Sequence, residues 1–381
     1  MKNSRASVRI TSMRIEHRYI RDQNGDIKSI VLDNGSGIMK VGMAGEDKPR
    51  SVFPQIIEQN EKDYKIGDDA FSLCDNMNLH YPIEHGNVNN WEEMEKIWNY
   101  TFSNILHVNS YEFPILISEP VLNPEINRQK MTEIMFEKYQ IPALYYENSG
   151  VLSLYSTGRT FGVVLESGDC LISVVPIYNG LKQPNGIFRN EMAGRDVTVS
   201  ILRELLEKGV QLNYEIAKDI KEKLCYIVMD YKSQKRKAQK LVDMTYTMPD
   251  GQEISIGSER FRCPEAIFKP SLIGFDMPGV HNLVFQSIQN CDSKVRNELF
   301  KSICISGGTS MLNGFAERLN RELQILAPKT ADINIIAPPD RQFSVWVGGS
   351  ILASMKVFGD WLITKQEYKE RGYAVVKQNC V

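Results

Sequence analysis

Two segments far apart in the chain repeat one pattern, IVLDNGSGIMKVGMA at 30–44 and VVLESGDCLISVV at 163–175. Each runs from an apolar stretch into a carboxylate, Asp33 or Glu166, then through a turn of small residues into a second apolar stretch. Asn34-Gly35 between runs of period two is a strong hairpin signal. Similarity at this separation predicts two related α/β halves rather than a short-period solenoid. A third glycine turn, CISGGTSM at 304–311, joins an apolar strand to an expected helix. Such turns suit a triphosphate, because only small residues let backbone N–H groups come close, and glycine also takes φ > 0 conformations that point them into one concavity. On this reading Gly35, Ser36 and Gly37 form one clamp, Lys40 reaches back as a point charge, and Ser167, Gly168 and Asp169 form the second clamp. Asp33 is placed to hold water on a hard cation such as Mg²⁺ or Ca²⁺. Ordinary tight hairpins would explain each turn alone, but not their repetition with a carboxylate at each strand end.

The rest of the chain sets bounds. Its 381 residues, 42% hydrophobic and 24% charged with a net charge of −2, suit a soluble body with two cores or one large core split by a cleft. Neither nucleic acid nor membrane is implied as a partner by that balance. No apolar run approaches a membrane span, and the N-terminus carries no apolar signal core. The seven cysteines are scattered, odd in number and never in a CxxC pair, and the five histidines are dispersed. Free thiols in a reducing compartment, cytosolic or nuclear, are therefore expected rather than disulfides or a zinc site. Residues 1–28 hold seven Lys/Arg against three Asp/Glu and read as a basic arm, with a transit peptide as the alternative. Periodicity predicts helices over Trp91–Leu106 and Ile126–Tyr139, from about Val197 to near Gly209, and over roughly Tyr214–Asp230.

Further segments carry a resemblance: YPIEHG (81–86), WEEMEKIW (91–98), LSLYSTGRT (152–160), AGRD (193–196), DIKEKLCY (219–226), ERFRCPEA (259–266), SGGTSM (306–311), IIAPP (335–339) and SVWVGGSILAS (344–354). Together with DNGSG (33–37) they run in order over roughly residues 29–381, and the chain resembles actin and its closest relatives. The resemblance implies an α/β actin-like ATPase fold, shared with sugar kinases and heat-shock chaperones, with two duplicated lobes around a cleft for ATP or ADP and Mg²⁺ or Ca²⁺. It places a small lobe at 29–160 with a C-terminal return at 343–381, and a large lobe at 161–342 that includes an upper subdomain at about 197–268. It assigns Asp33 to Ile38 with Lys40 to the first phosphate loop and Ser167 to Cys170 to the second. It brings Asp169 and Glu222 to the ribose, and Gly194, Lys218, Lys221, Gly307, Gly308, Thr309, Met311 and Gln342 to the nucleotide pocket. His85 matches a histidine that many actins methylate.

The departures from the family pattern cluster. Its water-organising glutamine, aspartate and histidine are replaced by Ser149, Glu166 and Ser173. A serine lacks the reach of glutamine and the proton relay of imidazole, and Glu166 extends the metal-shell carboxylate by one methylene. Cys170 replaces a loop glycine and would be strained if φ were positive there. Gln342 replaces a lysine, Leu312 a tyrosine and Lys218 an arginine. The intersubunit loop between Pro54 and Ile66 is shortened, whereas the cleft residues Tyr155, Thr160, Val347, Ile351, Leu352 and Met355 match those that receive such a loop from actin or another actin-like subunit. An acidic tip is replaced by the basic arm, which argues against myosin as a partner, and a basic run spans 232–240. The expectation is a divergent actin-like protein of the cytoplasm and cytoskeleton that binds ATP as a structural ligand, with slow or absent hydrolysis, as a subunit or filament end of a larger assembly. The alternatives are a conventional filament-forming ATPase and a nuclear, chromatin-complex subunit.

Overall fold

The computed structural model describes residues 19, 25, 27–59, 64–71, 79–236 and 243–379. The expected basic arm therefore lies outside the described residues except at Tyr19, Gly25, Ile27 and Lys28, as do 237–240 of the second basic run. Two mixed sheets carry the fold. The first runs Ser51–Pro54, Ile38–Met43, Ile30–Asn34, Ile115–Glu119, Ala143–Asn148 and Ile363–Thr364. The second runs Leu181–Lys182, Ile172–Tyr178, Gly162–Ser167, Ile303–Ser306 and Ile335–Ile336, with Phe188–Asn190 also paired to Ile172–Tyr178.

Leaving out Phe188–Asn190 and the edge strand Ile363–Thr364, the five strands of each sheet, numbered in chain order, stand in the same spatial order, 3-2-1-4-5. In each half the leading hairpin strand lies antiparallel to its partner and parallel to a strand that arrives after a long crossover. The duplicated motif of the sequence is thus a duplicated topology. Ile30, Val31 and Leu32, like Val163, Val164 and Leu165, are buried on both faces, which is why these strands read as unbroken apolar runs. The register sets Asp33 opposite Lys40 and Glu166 opposite Ser173.

The helix Ser149–Tyr155 lies between the two sheets. Its Leu152 packs with Val31, Leu116 and Trp346, while Val151 and Leu154 pack with Val164, Val175 and Cys304. The helix Ser344–Ser354 crosses it so closely that a Cβ on Gly348 would fall 1.8 Å from the Leu152 carbonyl oxygen. Trp346 Nε1 donates to the Val31 carbonyl at 3.1 Å and fixes that crossing to the first sheet. The glycine pair in SVWVGGSILAS is therefore a packing requirement: the absence of a side chain lets two helices and two sheets share one junction.

The other expected helices differ at their ends. Trp91–Tyr100 continues as a π-helical turn over Thr101–Ile105, and Glu125–Glu133 does the same over Ile134–Lys138. The helix expected from Val197 begins at Gly194, because the Asp196 carboxylate accepts the Ala193 N–H at 2.8 Å and caps an earlier start. The helix expected to reach Asp230 stops at Leu224. There the Tyr226 and Ile227 N–H groups turn to the carbonyls of Arg260 and Asn313, at 3.0 and 2.7 Å. The shortened loop is a small hairpin, Ile57–Gln59 against Tyr64–Ile66, with 60–63 outside the described residues.

Gly348→Ala is expected to cost about 3 kcal/mol, the upper end for overpacking against backbone. Thermal or urea unfolding of the full chain measures it, and a cost below about 0.5 kcal/mol would show that the helix crossing tolerates separation.

Candidate functional site

The ends of the two leading strands meet at a cavity of about 390 Å³. From the first hairpin it is lined by Asp33, Gly35, Ser36, Gly37, Ile38 and Lys40, and from the second by Glu166, Gly168, Asp169, Cys170 and Ser173. The third turn adds Gly307, Gly308, Thr309 and Met311, and the helix Tyr214–Leu224 adds Lys218, Lys221 and Glu222. Ser149, Gln342 and Leu312 also line it, with Asn34 and Ser118 among the remaining residues. Two residues assigned from the sequence, Ser167 and Gly194, do not line the cavity. They set its spacing from behind. A Cβ on Gly307, whose φ is +91°, would fall 2.4 Å from the Ser167 carbonyl oxygen, and one on Gly194 would fall 2.2 Å from Thr309 Oγ1.

The turns owe their glycines to contact more than to φ. Gly35, Gly37 and Gly168 are not among the described glycines with positive φ. A Cβ on Gly37 would instead fall 2.8 Å from the Asp169 side chain, and one on Gly35 would fall 2.7 Å from the Ile38 carbonyl oxygen. Gly37 thus lets the turns of the two sheets touch. The strain expected at Cys170 is absent too, since its φ is not positive. Its buried thiol lies 3.3 Å from Asp169 Oδ2, and burial, then the Asp169 charge, push its pKa far up.

The two strand-end carboxylates are held differently. Asp33 accepts from Lys40 Nζ at 2.9 Å and from Ser118 Oγ at 2.7 Å. Lys40, expected to reach back toward the phosphates, is also the counter-ion of Asp33. Glu166 accepts from Ser149 at 2.6 Å and Ser173 at 3.3 Å on one oxygen, and from Ser153 at 3.1 Å and Ser306 at 3.4 Å on the other. The three departures from the family pattern are therefore one hydrogen-bonded group. Burial raises the Glu166 pKa, the Ser149 hydrogen bond opposes the rise, and the nearby Asp33 charge adds to it.

Across the mouth of the cavity, contacts join the halves. Arg195 binds Asp169 Oδ2 at 3.0 and 3.2 Å, lies 4.2 Å over the Tyr81 ring and sits 3.7 Å from Glu84. The Tyr81 hydroxyl donates to Glu215 at 2.5 Å, and His85 Nδ1 lies 2.9 Å from the Cys170 carbonyl oxygen. Lys221, buried, donates to the Gly194 carbonyl at 3.0 Å, and burial lowers its pKa. Burial opposes ionisation of Asp169, yet Arg195, then Lys221 and Lys218, more than offset it and hold the carboxyl below its usual range.

The wall combines small-residue turns, the cations Lys40, Lys218 and Lys221, and four carboxylates, Asp169, Glu222 and the strand-end pair Asp33 and Glu166. Asn34 Nδ2, on the cavity wall, is a buried donor without a partner among the described residues, as is Ser167 Oγ just behind it. Turns closely apposed, flanking cations and an unpaired donor fit an anionic ligand, and the carboxylate pair fits a hard cation beside it. Ser118, Ser153 and Ser306 were missed in the sequence, since isolated serines carry no signal of their own. Arg195 lay within AGRD but carried no assigned role. A family model described as Actin matches residues 24–381.

The Asp169 environment fixes a sign. Its folded-state pKa is depressed, so its stabilisation is fully present above the ordinary aspartate value of about 3.9 and is lost as pH falls below it. Asp169→Asn is therefore expected to shrink the loss of unfolding free energy between about pH 4 and pH 2. Urea unfolding across that range checks this, and parallel curves for the two proteins would contradict it.

Proposed function

The chain belongs to the actin family, and from that premise we propose that it is a divergent actin-like protein holding ATP or ADP, with Mg²⁺ or Ca²⁺, as a structural ligand. Hydrolysis is weak or absent on this reading. The observation that carries it is the capping of Glu166 by Ser149 and Ser173. Both hydroxyls are committed to the carboxylate, and neither provides the amide or imidazole that would order and deprotonate an attacking water.

Binding needs less than turnover. When bound, the nucleotide and its cation supply the charges that draw the two hairpin turns toward one another. Gly35, Gly37 and Gly168 keep the turns free of side chains, Lys40 and Lys221 supply positive charge, and Asp33 and Glu166 face the cation. Asp169 and Glu222 serve the ribose, and Met311, Leu312 and Gln342 serve the base. A ligand that binds only the folded chain stabilises it by mass action.

At the far side of the lobe junction, Ile351 and Met355 are exposed, whereas Leu352 is buried in the junction core. On this reading an incoming loop would meet Tyr155, Thr160, Val347, Ile351 and Met355, with Leu352 backing the cleft from the core. With the short Ile57–Ile66 hairpin offering little to insert, these features support a subunit or filament-end element of a larger assembly. The cytoplasm and cytoskeleton are the proposed setting. A conventional filament-forming ATPase is the second reading, favoured by the length of the family match.

Purified full-length protein is expected to retain nucleotide and release phosphate negligibly, with or without added actin. Nucleotide identification and phosphate-release assays measure both. Phosphate release stimulated by polymerisation, or long filaments pelleting from the protein alone, would establish the second reading instead.

A further inference from the structure

The four hydroxyls around Glu166 come from three separate elements. Ser149 and Ser153 lie on the helix between the sheets, Ser173 on the second strand of the hairpin, and Ser306 on the parallel strand beside Glu166. Ser153 and Ser306 are also 3.0 Å from each other, so the side of the carboxylate opposite Ser149 is held by a linked pair. A carboxylate has about four acceptor positions; each serine donates one proton, so while Ser153 donates to Ser306 at most three hydroxyls reach Glu166 and one position stays open.

Asp33 occupies the same place in the other half, yet its charge is balanced locally by Lys40 at 2.9 Å. The partners of Glu166 are neutral hydroxyls, so its orientation is fixed while its charge is left without a cation among the described residues. Side-chain length matters to this arrangement. An aspartate at 166 would withdraw the carboxylate from the hydroxyls by one methylene, and a longer side chain at 149 or 173 would enter the space that Glu166 fills.

We infer that Ser149, Ser153, Ser173 and Ser306 act together as positioning residues for Glu166, presenting its carboxylate to the cation of a bound nucleotide, so that residues 149, 166 and 173 work only as a matched set. The cation in this inference rests on the nucleotide-binding reading above. The matched set itself does not, since the hydrogen bonds exist within the chain alone. It follows that restoring a family residue singly harms the site, and that restoring all three is the change the site accepts.

The test uses the nucleotide-loaded full chain and the Mg²⁺ dissociation constant measured by competition with a fluorescent chelator. S149A/S173A is expected to weaken Mg²⁺ binding about 10- to 100-fold, the effect of removing groups that orient a metal-shell ligand. S149T, which keeps the hydroxyl, is expected to stay within about threefold of wild type on that scale. E166D alone is expected to weaken binding, and S149Q/E166D/S173H to recover it. Unchanged affinity in S149A/S173A, or E166D equal to the triple variant, would overturn the inference. If the wild-type chain holds neither nucleotide nor Mg²⁺, the nucleotide reading fails, and the matched set is then decided without ligand. Thermal unfolding of S149A, E166Q and the double variant is expected to be non-additive, and additive shifts would overturn it.

Discussion

A half-buried carboxylate whose hydrogen-bond partners among the described residues are all neutral governs this site. Glu166 ends the central strand of the second sheet, and serine hydroxyls from the helix between the sheets and from two neighbouring strands converge on it. An ionised carboxylate taken out of water is costly unless its hydrogen bonds and its charge are both met. The hydroxyls meet the first demand. The second is left unmet by the described residues, which is the reason for proposing a cation beside Glu166. Because Ser149 and Ser153 belong to the helix that both sheets pack against, the same hydrogen bonds fasten the lobe junction.

The two halves are alike in topology and unlike in chemistry. Each sheet ends its central strand in a carboxylate beside a small-residue turn, yet Asp33 is balanced by Lys40 and Glu166 is caged by hydroxyls. Where the turns approach, Gly37 leaves room for the Asp169 side chain, which Arg195 then holds from the opposite side. Arg195 in turn stacks on Tyr81, so the second hairpin turn, its arginine and the first half form one continuous contact. The halves are therefore joined by side chains that answer one another near the cavity, and by the helix crossing at Gly348.

The duplicated hairpins were legible in the sequence because an apolar run, a carboxylate and small turn residues recur in the same order. Burial of both leading strands made those runs continuous, and topology followed. The wall of the cavity was legible for the same reason: glycine turns are written locally. What could not be read was set by distant partners. The helix expected to extend to Asp230 ends at Leu224 because the carbonyls of Arg260 and Asn313 capture the following N–H groups. Ser167 and Gly194 stand behind the wall because their neighbours are Gly307 and Thr309, far along the chain. Leu352 matches a cleft position in the family, and its burial in the same core cluster as Val31 and Trp346 was not legible. The departures at 149, 166 and 173 were visible as a set, but their hydrogen bonding to one another shows only in the fold.

The central claim is that nucleotide stabilises this chain without being consumed. The most direct measurement is the thermal unfolding midpoint of the full chain against ATP concentration, with the nucleotide pool assayed before and after. A ligand bound only to the folded state raises stability by about 1.4 kcal/mol for each tenfold increase in its concentration well above Kd. A midpoint that climbs with the logarithm of ATP while the pool stays as ATP is the expected result. A midpoint indifferent to ATP, or one that climbs while ATP is converted to ADP, would contradict it.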